Sequence, residues 1–435
     1  MVIDLGLDRE SPPARLRDWR RRPGQLRPVA LALVAALLLS VTASGPARAP
    51  GLALAASFAL DRRTDFVVLG DRLYVSVAST DRSGPPAEHR WLLSAYELPG
   101  GRPLWTSPYE SSVEQFVDVQ PAEGLMLVTG LVGGDAIATP TTAIDADSGR
   151  VLWTLPTRVA VADDRRTGVI GGLVRPDEPV GSTIRAVDLS TGVDLWKATF
   201  AEPTSVRPVP GGRALTVTNR GDGARLELRD VRTGAVRVSR DVPPTGGGPT
   251  ISASAGDSLL LGYEEADGSR GVAAYATDTL EPLWRRPVNE EDIRLFSTCG
   301  GFVCAPSEVG VQAIDPATGI MVWRTTGADA VFDMGGVLVA DVQQTGLAAV
   351  DPATGRTLYG LGGLTTGVSP RTADGLVSVG RTPGDDRSWL SIAKPRTAAP
   401  RTIGVVPFLV WDCVAGDRSV VCRGPDDKLS IWTYR

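Results

Sequence analysis

The amino-acid sequence predicts an all-β fold, a β-propeller built from four-stranded blades. One observation is a turn followed by a tryptophan that recurs about every 40 residues, the period of such a blade. The other is the chain between these copies, where short β-branched runs such as Phe66 to Leu69 and Leu73 to Val77 alternate with glycine and aspartate. No helical periodicity is sustained there, which disfavours helical repeats of similar length.

The clearest copy of the repeat runs from Ala313 to Trp323. Asp315 can accept hydrogen bonds from the backbone of the turn that follows it, and Pro316 presets the φ angle of the next position. Gly319 supplies the positive φ that the turn requires. Because the large ring of Trp323 is costly to leave in water, a tryptophan repeated at this point predicts a repeated interface between adjacent blades.

Seven copies of this frame can be aligned. The best preserved predict turns at four aspartate and glycine pairs: Asp145 and Gly149, Asp188 and Gly192, Asp315 and Gly319, and Asp351 and Gly355. Three copies are degenerate: one has Glu97 in place of the aspartate, one ends in Val238, and one lacks both the aspartate and the glycine. The residues predicted to dock neighbouring blades are Trp105, Trp153, Trp196, Trp284, Trp323 and Tyr359.

The pattern Ala-x-Asp-x-x-Thr-Gly-x-x-x-Trp resembles the repeat of the pyrroloquinoline-quinone-type (PQQ-type, or quinoprotein-like) β-propellers. The resemblance covers about residues 65 to 435, and it implies that each tryptophan docks between neighbouring blades. It implies no single function. The family includes quinone-dependent alcohol and sugar dehydrogenases, a lipoprotein scaffold for outer-membrane assembly, and sensor or extracytoplasmic domains without chemistry of their own.

The number of blades depends on how the two ends of the chain are used. Residues 367 to 403 look like a degenerate eighth copy, and residues 408 to 435 contain three strand-like runs without a fourth. The run Ala56 to Leu60 can supply that fourth strand, which would close the ring and remove exposed sheet edges. Strand arithmetic then gives nine blades, but related propellers usually have eight. We expect eight blades, with nine as the alternative.

The N-terminus is predicted to attach the protein to a membrane. Residues 1–27 are rich in arginine and residues 28–44 carry no charge. This pattern predicts a single-pass anchor in the cell membrane, with residues 1–27 in the cytoplasm. Residues 45–56 would be a linker, and residues 57–435 would form the extracytoplasmic propeller. A signal segment cleaved near Ala47 to Ala49, with secretion of the propeller, is the alternative.

The four cysteines form two close pairs, Cys299 with Cys304 and Cys413 with Cys422. Both separations are odd, which allows the two residues to lie directly opposite each other across an antiparallel hairpin, at a distance compatible with a disulfide. A zinc site would need histidine or a closer cysteine spacing, and the one histidine of the chain is His89. Two disulfides agree with an extracytoplasmic location.

No motif of catalytic quality accompanies the repeat. The formal net charge of -5 and the pI near 5.2 provide no basic field for nucleic acid. A PQQ-dependent dehydrogenase would hold its cofactor beside Ca²⁺, which needs several oxygen ligands at one locus. The repeated aspartates are expected to lie apart, because they occupy the same turn of successive blades.

We therefore predict no catalytic, cofactor-binding or metal-binding residues. The leading hypothesis is a monomeric, membrane-tethered binding or scaffold protein without catalysis, whose partner is an unknown protein or cell-envelope ligand. The alternative is a PQQ-dependent alcohol or sugar dehydrogenase with PQQ and Ca²⁺ as cofactors.

Overall fold

The computed structural model describes residues 51–434 of the chain, with gaps. The residues outside this description are 1–50, 60–63, 79–88, 112–114, 132–138, 172–181, 221–222, 243–249, 265–266, 268, 289–296, 308, 335, 343–345, 362–368, 373–374, 382–383, 385, 395–398 and 435. Across the described residues the fold is all-β, with 36 strands and one short 3₁₀ helix at Pro425–Asp427. The described part of the chain contains no helix with the length and apolar character needed to span a membrane. The predicted anchor, residues 28–44, lies outside it.

The strands form nine sheets of four antiparallel strands within the described residues. The first strand, β1 (Ala53–Ala59), joins the last sheet, and the others follow in chain order. Blades 1 to 3 consist of β2 (Thr64–Leu69), β3 (Arg72–Ala78), β4 (His89–Glu97), β5 (Arg102–Ser111), β6 (Gln115–Ala122), β7 (Leu125–Leu131), β8 (Thr141–Asp145), β9 (Val151–Leu155), β10 (Ala160–Val161), β11 (Thr167–Ile170), β12 (Ser182–Asp188) and β13 (Asp194–Phe200).

Blades 4 to 9 continue this order. Blades 4 to 6 consist of β14 (Thr204–Val209), β15 (Arg213–Arg220), β16 (Gly223–Asp230), β17 (Val236–Val242), β18 (Thr250–Ala255), β19 (Ser258–Glu264), β20 (Arg270–Ala276), β21 (Pro282–Val288), β22 (Ser297–Cys299), β23 (Phe302–Ser307), β24 (Gly310–Ile314) and β25 (Met321–Thr326). Blades 7 to 9 consist of β26 (Ala328–Met334), β27 (Val337–Val342), β28 (Gly346–Val350), β29 (Thr357–Gly360), β30 (Ser369–Thr372), β31 (Gly375–Arg381), β32 (Ser388–Ala393), β33 (Arg401–Val406), β34 (Trp411–Gly416), β35 (Ser419–Arg423) and β36 (Lys428–Thr433), together with β1.

Blade 9 closes the ring with both ends of the propeller. Its strand order is β1-β36-β35-β34, and β1 pairs antiparallel with β36. The innermost strand β34 contacts β30 of blade 8 on one side and β2 of blade 1 on the other. The prediction that an N-terminal strand completes the blade begun at the C-terminal end is therefore confirmed.

The blade count is nine, so the expected eight was wrong and the alternative was right. The reason is that the degenerate region 367 to 403 forms a complete blade of its own, β30 to β33, so that β34 to β36 and β1 add a ninth. The structure also places the start of β1 at Ala53, inside the predicted linker 45–56. The short alanine-rich run gave no pattern that could separate a strand from a linker.

The core lies between blades. A typical cluster joins Leu215 and Leu226 of blade 4 to Leu259 and Leu261 of blade 5, all of them buried. Each sheet therefore buries its faces against its neighbours, and the interfaces between blades carry most of the apolar contact that stabilises the ring.

The two disulfides are present, as predicted. Cys413 and Cys422 lie directly opposite each other on β34 and β35, with Cα atoms 4.1 Å apart. Cys299 and Cys304 do not, because the two-glycine turn places Cys299 opposite Phe302 and Cys304 opposite Ser297. This second bridge is diagonal, with Cα atoms 5.8 Å apart.

The repeated turns are built as hydrogen-bonded loops around their aspartates. Backbone N–H groups two residues further along donate to Oδ1 of Asp188 at 2.9 Å, of Asp315 at 2.7 Å and of Asp351 at 2.8 Å, and that of Ser148 donates to Asp145 at 2.8 Å. The glycines that end these turns, Gly149, Gly192, Gly319 and Gly355, have φ between 70° and 72°.

The repeated tryptophans lie against these turns of the next blade. Each indole N–H donates to the carbonyl oxygen of the residue after the turn aspartate, or its equivalent, in that blade: Trp105 to Ala146 at 3.0 Å, Trp153 to Leu189 at 2.8 Å, Trp196 to Val231 at 2.8 Å, Trp284 to Pro316 at 2.8 Å and Trp323 to Pro352 at 2.9 Å. Tyr359 packs with residues of blades 7 and 8 in another buried cluster.

The ring of each tryptophan covers the turn glycine so closely that no larger residue fits. A Cβ atom added to Gly192 would lie 2.7 Å from the Trp153 ring, and one added to Gly355 would lie 2.5 Å from the Trp323 ring. The glycine is thus required twice, once for its positive φ and once for this approach.

One junction replaces both partners. Blade 4 has Val238 at the tryptophan position, and blade 5 has Leu280 at the glycine position, with the same turn hydrogen bond from Leu280 N to Ala276 O at 2.9 Å. Leu280 keeps a left-handed φ of 56° although it has a side chain, and that side chain is fully buried in the cluster that includes Val238. The larger residue at the turn occupies the volume that the missing indole leaves.

This exchange predicts strong coupling between Val238 and Leu280. Leu280→Gly should cost about 2 to 5 kcal/mol for the lost buried side chain, less about 1 to 2 kcal/mol of left-handed strain that it relieves. Val238→Trp alone should overpack the junction by about 1 to 3 kcal/mol. The double variant rebuilds the pair used elsewhere, so its loss in free energy of unfolding should be smaller than the sum of the two single losses by at least about 1 kcal/mol.

Denaturant unfolding of the four proteins would measure this coupling. Gly192→Leu, with Trp153 retained, is the matched control and should destabilise the fold because the ring blocks the new side chain. Additivity of the two single effects within about 0.5 kcal/mol would contradict the compensation.

Candidate functional site

A cavity of about 670 Å³ lies where blades 9, 1 and 2 meet. It opens between the innermost strands β34, β2 and β6, which are those nearest the axis of the ring. Its size is that of sites that bind small molecules. The lining residues are Asp65, Phe66, Val67, Tyr74, Ser76, Leu93, Asp118, Val119, Met126, Val128, Asp412, Cys413, Val414 and Arg423.

Most of the wall is apolar and rigid. Leu93, Met126 and Val128 come from the second and third strands of blades 1 and 2 and are buried. Cys413 belongs to the disulfide that ties β34 to β35, which fixes the blade 9 side of the cavity. The charged side chains of the lining stand beside this apolar wall, and Asp65 and Asp412 also reach solvent.

Arg423 is the buried cation of the cavity, with a side chain that is 9% exposed. Its Nη2 donates to the carbonyl oxygen of Thr64 in blade 1, so the guanidinium bridges the ring closure. Its Nε lies 3.6 Å from Asp412 Oδ2, which is too long for a hydrogen bond. This Nε is buried and has no hydrogen-bond acceptor among the described residues. A buried N–H without an acceptor is costly, and among the described residues Arg229 Nε is another such atom.

Two carboxylates face Arg423. Asp65 follows Thr64 on β2 and remains accessible from the cavity, and its carboxylate accepts no hydrogen bond from the described residues. Asp412 occupies a β-bulge of β34 with a left-handed φ of 50°, and its side chain is 64% exposed. Aspartate tolerates this conformation better than most residues, yet such backbone strain is concentrated at functional sites.

The third carboxylate, Asp118, is already paired. Its Oδ2 accepts hydrogen bonds from Gln120 Nε2 at 2.6 Å and from Arg158 Nη2 at 3.1 Å. Asp65 is thus without a hydrogen bond from the described residues, and the Nε of Arg423 forms only a long ion pair with Asp412. Such a set can bind a ligand through charge and hydrogen bonds, but its lining includes neither a histidine nor a free thiol that could transfer a proton near neutral pH.

The pKa of the Asp65 carboxyl is raised above its ordinary value. The protein around it removes water from the charged form, and this is the largest cause. The positive charge of Arg423 opposes the shift, and the negative charge of Asp412 adds to it. Ionisation of Asp65 is therefore less favourable in the folded protein than in the unfolded chain.

The predicted turn and docking residues do not line this cavity. Of the predicted turn, docking and disulfide residues, Cys413 is the one found in its wall. His89 begins β4, and its side chain is outside the described part. Sequence reasoning missed Asp65, Asp412 and Arg423. The two aspartates share a signal that could have pointed to them, a lone aspartate near the start of an otherwise apolar innermost strand. Within the described ranges, no three His, Cys, Asp or Glu side chains lie close enough together to hold a metal ion.

Comparisons with known proteins agree with the repeat. Residues 180–361 match the PQQ_2 family model, which is described as "Outer membrane protein assembly factor BamB". This match confirms the predicted resemblance to PQQ-type propellers. No curated protein matches the chain in sequence.

Several solved structures are similar to this chain. BamB from Moraxella catarrhalis is 14% identical, with 88% of this chain and 98% of that chain covered and a TM-score of 0.40. A europium-containing methanol dehydrogenase is 14% identical, with 78% and 84% covered and a TM-score of 0.44. The computationally designed Ika8 protein is 13% identical, with 85% and 95% covered and a TM-score of 0.44.

The raised pKa of Asp65 predicts a pH-dependent effect of Asp65→Asn. The folded carboxyl binds a proton more readily than the unfolded one, so ionisation of Asp65 disfavours the folded state. The wild type should lose stability relative to the variant as pH rises from the ordinary Asp pKa of about 3.9 through the raised folded pKa. Above that window the variant should be the more stable protein.

Denaturant midpoints of both proteins between about pH 4 and about pH 8 would check this prediction. Asp145→Asn is a control of opposite sign, because hydrogen bonds from Ser148 lower the pKa of Asp145. A difference between Asp65→Asn and wild type that stays constant over this range would show that Asp65 is not perturbed.

Proposed function

We propose that this chain is a membrane-tethered, extracytoplasmic propeller that acts as a non-catalytic binding or scaffold protein. The observation that carries the proposal is the match of residues 180–361 to the model described as an outer membrane protein assembly factor. The proposed partner is a protein or other ligand of the cell envelope, which a single copy of this chain would bind through the loops at the faces of the ring.

The hydrogen bonds that the repeated aspartates accept within their own turns support a structural rather than a catalytic role for them. Asp145 and Asp188 accept hydrogen bonds from Ser148 and Ser190 of their own turns, and these bonds lower the pKa of both carboxyls. They lie on successive blades, whereas a Ca²⁺ site beside a quinone needs several oxygen ligands at one locus. The alternative of a PQQ-dependent dehydrogenase would have to use other residues, and the axial cavity is the place where it could do so.

The proposed location rests on the two disulfides and the N-terminal sequence. Disulfides persist in oxidising compartments, and Cys299–Cys304 and Cys413–Cys422 pair all four cysteines of the chain. The arginine-rich residues 1–27 followed by the uncharged residues 28–44 fit a cytoplasmic N-terminus and a single span. Secretion after cleavage is the alternative, and it leaves the propeller in the same compartment.

The absence of quinone chemistry can be tested directly. Purified full-length protein incubated with PQQ and Ca²⁺ should bind no chromophore after desalting and should not reduce an artificial dye in the presence of alcohols or sugars. An established quinoprotein apoenzyme, reconstituted in parallel, shows that the conditions suffice. A retained quinone spectrum together with substrate-dependent dye reduction would replace the scaffold proposal with the dehydrogenase.

The scaffold role makes its own prediction. Affinity-tagged full-length protein, purified from detergent-solubilised membranes of its own cells, should retain one envelope protein in a fixed stoichiometry. A matched preparation with a charge-reversed loop face should lose that partner while its unfolding midpoint stays unchanged. A protein that purifies alone, with or without in-cell cross-linking, would contradict the proposal.

The location predicts how the chain responds to thiol labelling and fractionation. Without reductant, an alkylating reagent should modify none of the four cysteines, and the protein should remain with the membranes after a high-salt wash. Four labelled thiols would place the propeller in the cytoplasm. Recovery in the soluble secreted fraction would favour signal cleavage over the anchor.

A further inference from the structure

We propose that the axial cavity at the ring closure binds a small organic monocation that carries a neutral oxygen acceptor next to its ammonium group and an apolar body. This proposal goes beyond the scaffold function and does not depend on it, because a small ligand in the cavity requires no contact with the loop faces. Three features of the cavity lead to it.

The first feature is the charge of the site. Asp118 is neutralised by Arg158, whose Nη2 donates to it at 3.1 Å. The remaining charged groups of the lining are the two carboxylates of Asp65 and Asp412 and the guanidinium of Arg423, which leave one net negative charge in the lining. Asp427, 3.9 Å from Arg423 Nη1, lies outside the lining. One positive charge on the ligand would balance it, and an ammonium group can donate to both carboxylates.

The second feature is the orphaned Nε of Arg423. It is buried, its nearest carboxylate oxygen is 3.6 Å away, and it has no acceptor among the described residues. The hydrogen bond from Nη2 to Thr64 O holds the guanidinium in place, and Nη1 forms an ion pair with Asp427 Oδ1 at 3.9 Å, which is also too long for a hydrogen bond. A ligand oxygen would complete this group. A neutral oxygen fits better than a carboxylate, which would meet the negative charge of Asp412 at short range.

The third feature is the apolar wall opposite these groups. Phe66 and Val67 follow Asp65 directly on β2, and Met126 and Val128 face them from blade 2. The Phe66 ring is also 5.8 Å from the guanidinium carbon of Arg423, so the apolar and charged parts adjoin. The apolar body of a ligand would therefore be buried beside its polar end, which adds the hydrophobic contribution to binding.

L-phenylalaninamide has all three properties and is the probe for the test. Three close analogues each change one of these properties. Phenethylamine has no carbonyl oxygen, N-acetyl-L-phenylalaninamide has no charge, and L-phenylalanine has a carboxylate in place of the neutral amide. Isothermal titration of full-length protein in detergent, with a detergent blank, should show saturable 1:1 binding of phenylalaninamide. Loss of the carbonyl should weaken binding by about 2-fold to 10-fold, the range of one hydrogen bond. Loss of the charge should weaken it by at least about 10-fold.

Variants tie this binding to the cavity. Asp65→Asn and Asp412→Asn should each reduce affinity for phenylalaninamide by about 10-fold or more. Asp315→Asn is the matched control, since it removes one carboxylate at a distant turn that asparagine can also form, and it should bind like wild type. Because Asp65→Asn is expected to be at least as stable as wild type near neutral pH, lost binding cannot be ascribed to unfolding.

Some outcomes would overturn the proposal. These are equal affinity for the four probes, tighter binding of phenylalanine than of its amide, unchanged binding by Asp65→Asn, or no saturable binding of any of these compounds at millimolar concentration. None of them affects the co-purification test of the scaffold role, so the two proposals can fail separately. Below about pH 6, where the amine of the probe is already protonated, protonation of Asp65, which faces Arg423 and Asp412, should weaken binding as pH falls. Binding that strengthens within that range would contradict the site.

Discussion

The contact between a tryptophan ring and the turn of the next blade is the constraint on which the ring depends. At each regular junction one glycine satisfies two demands, a φ near 70° for its own hairpin and the absence of a Cβ under the neighbouring indole. The indole N–H is bound to the same turn, as in Trp153 to Leu189 O. Hairpin geometry and blade docking are therefore one requirement on the sequence, which explains why the turn and the tryptophan repeat together while the strands between them vary.

The irregular junctions show that this constraint acts on the combined volume of the two partners. Val238 with Leu280 exchanges a large ring and a glycine for two medium side chains, and it does so at the cost of a left-handed leucine. At the ring closure the small residue Ala56 takes the ring's place, and a Cβ on Gly101 of blade 1 would lie 2.5 Å from it. Gly404 of blade 8 likewise lies under Leu52. The interface stays filled although the identity of its residues changes, as close packing requires.

Repetition also decides what could be predicted from the sequence. The turns at Asp315 and Gly319, the ring position of Trp323 and the closing role of β1 followed from residues that recur or from strands left without partners. The blade count did not follow, because the region 367 to 403 has lost the motif and only its strand pairing identifies it as a blade. The cavity was out of reach for a different reason. Asp65 and Arg423 are far apart in the chain, occur once each, and meet only because the ring closes.

Ring closure is thus the place where the molecule departs from its own symmetry. Arg423 of blade 9 donates to Thr64 O of blade 1, and the blade that carries it is itself completed by β1 from the other end of the chain. A buried guanidinium whose Nε has no hydrogen-bond acceptor destabilises a fold unless something else uses it. The repeat could have placed an ordinary apolar junction here, as it does between blades 4 and 5. That it places a buried guanidinium beside two carboxylates at the junction where the ring closes is the physical reason to look for a ligand there.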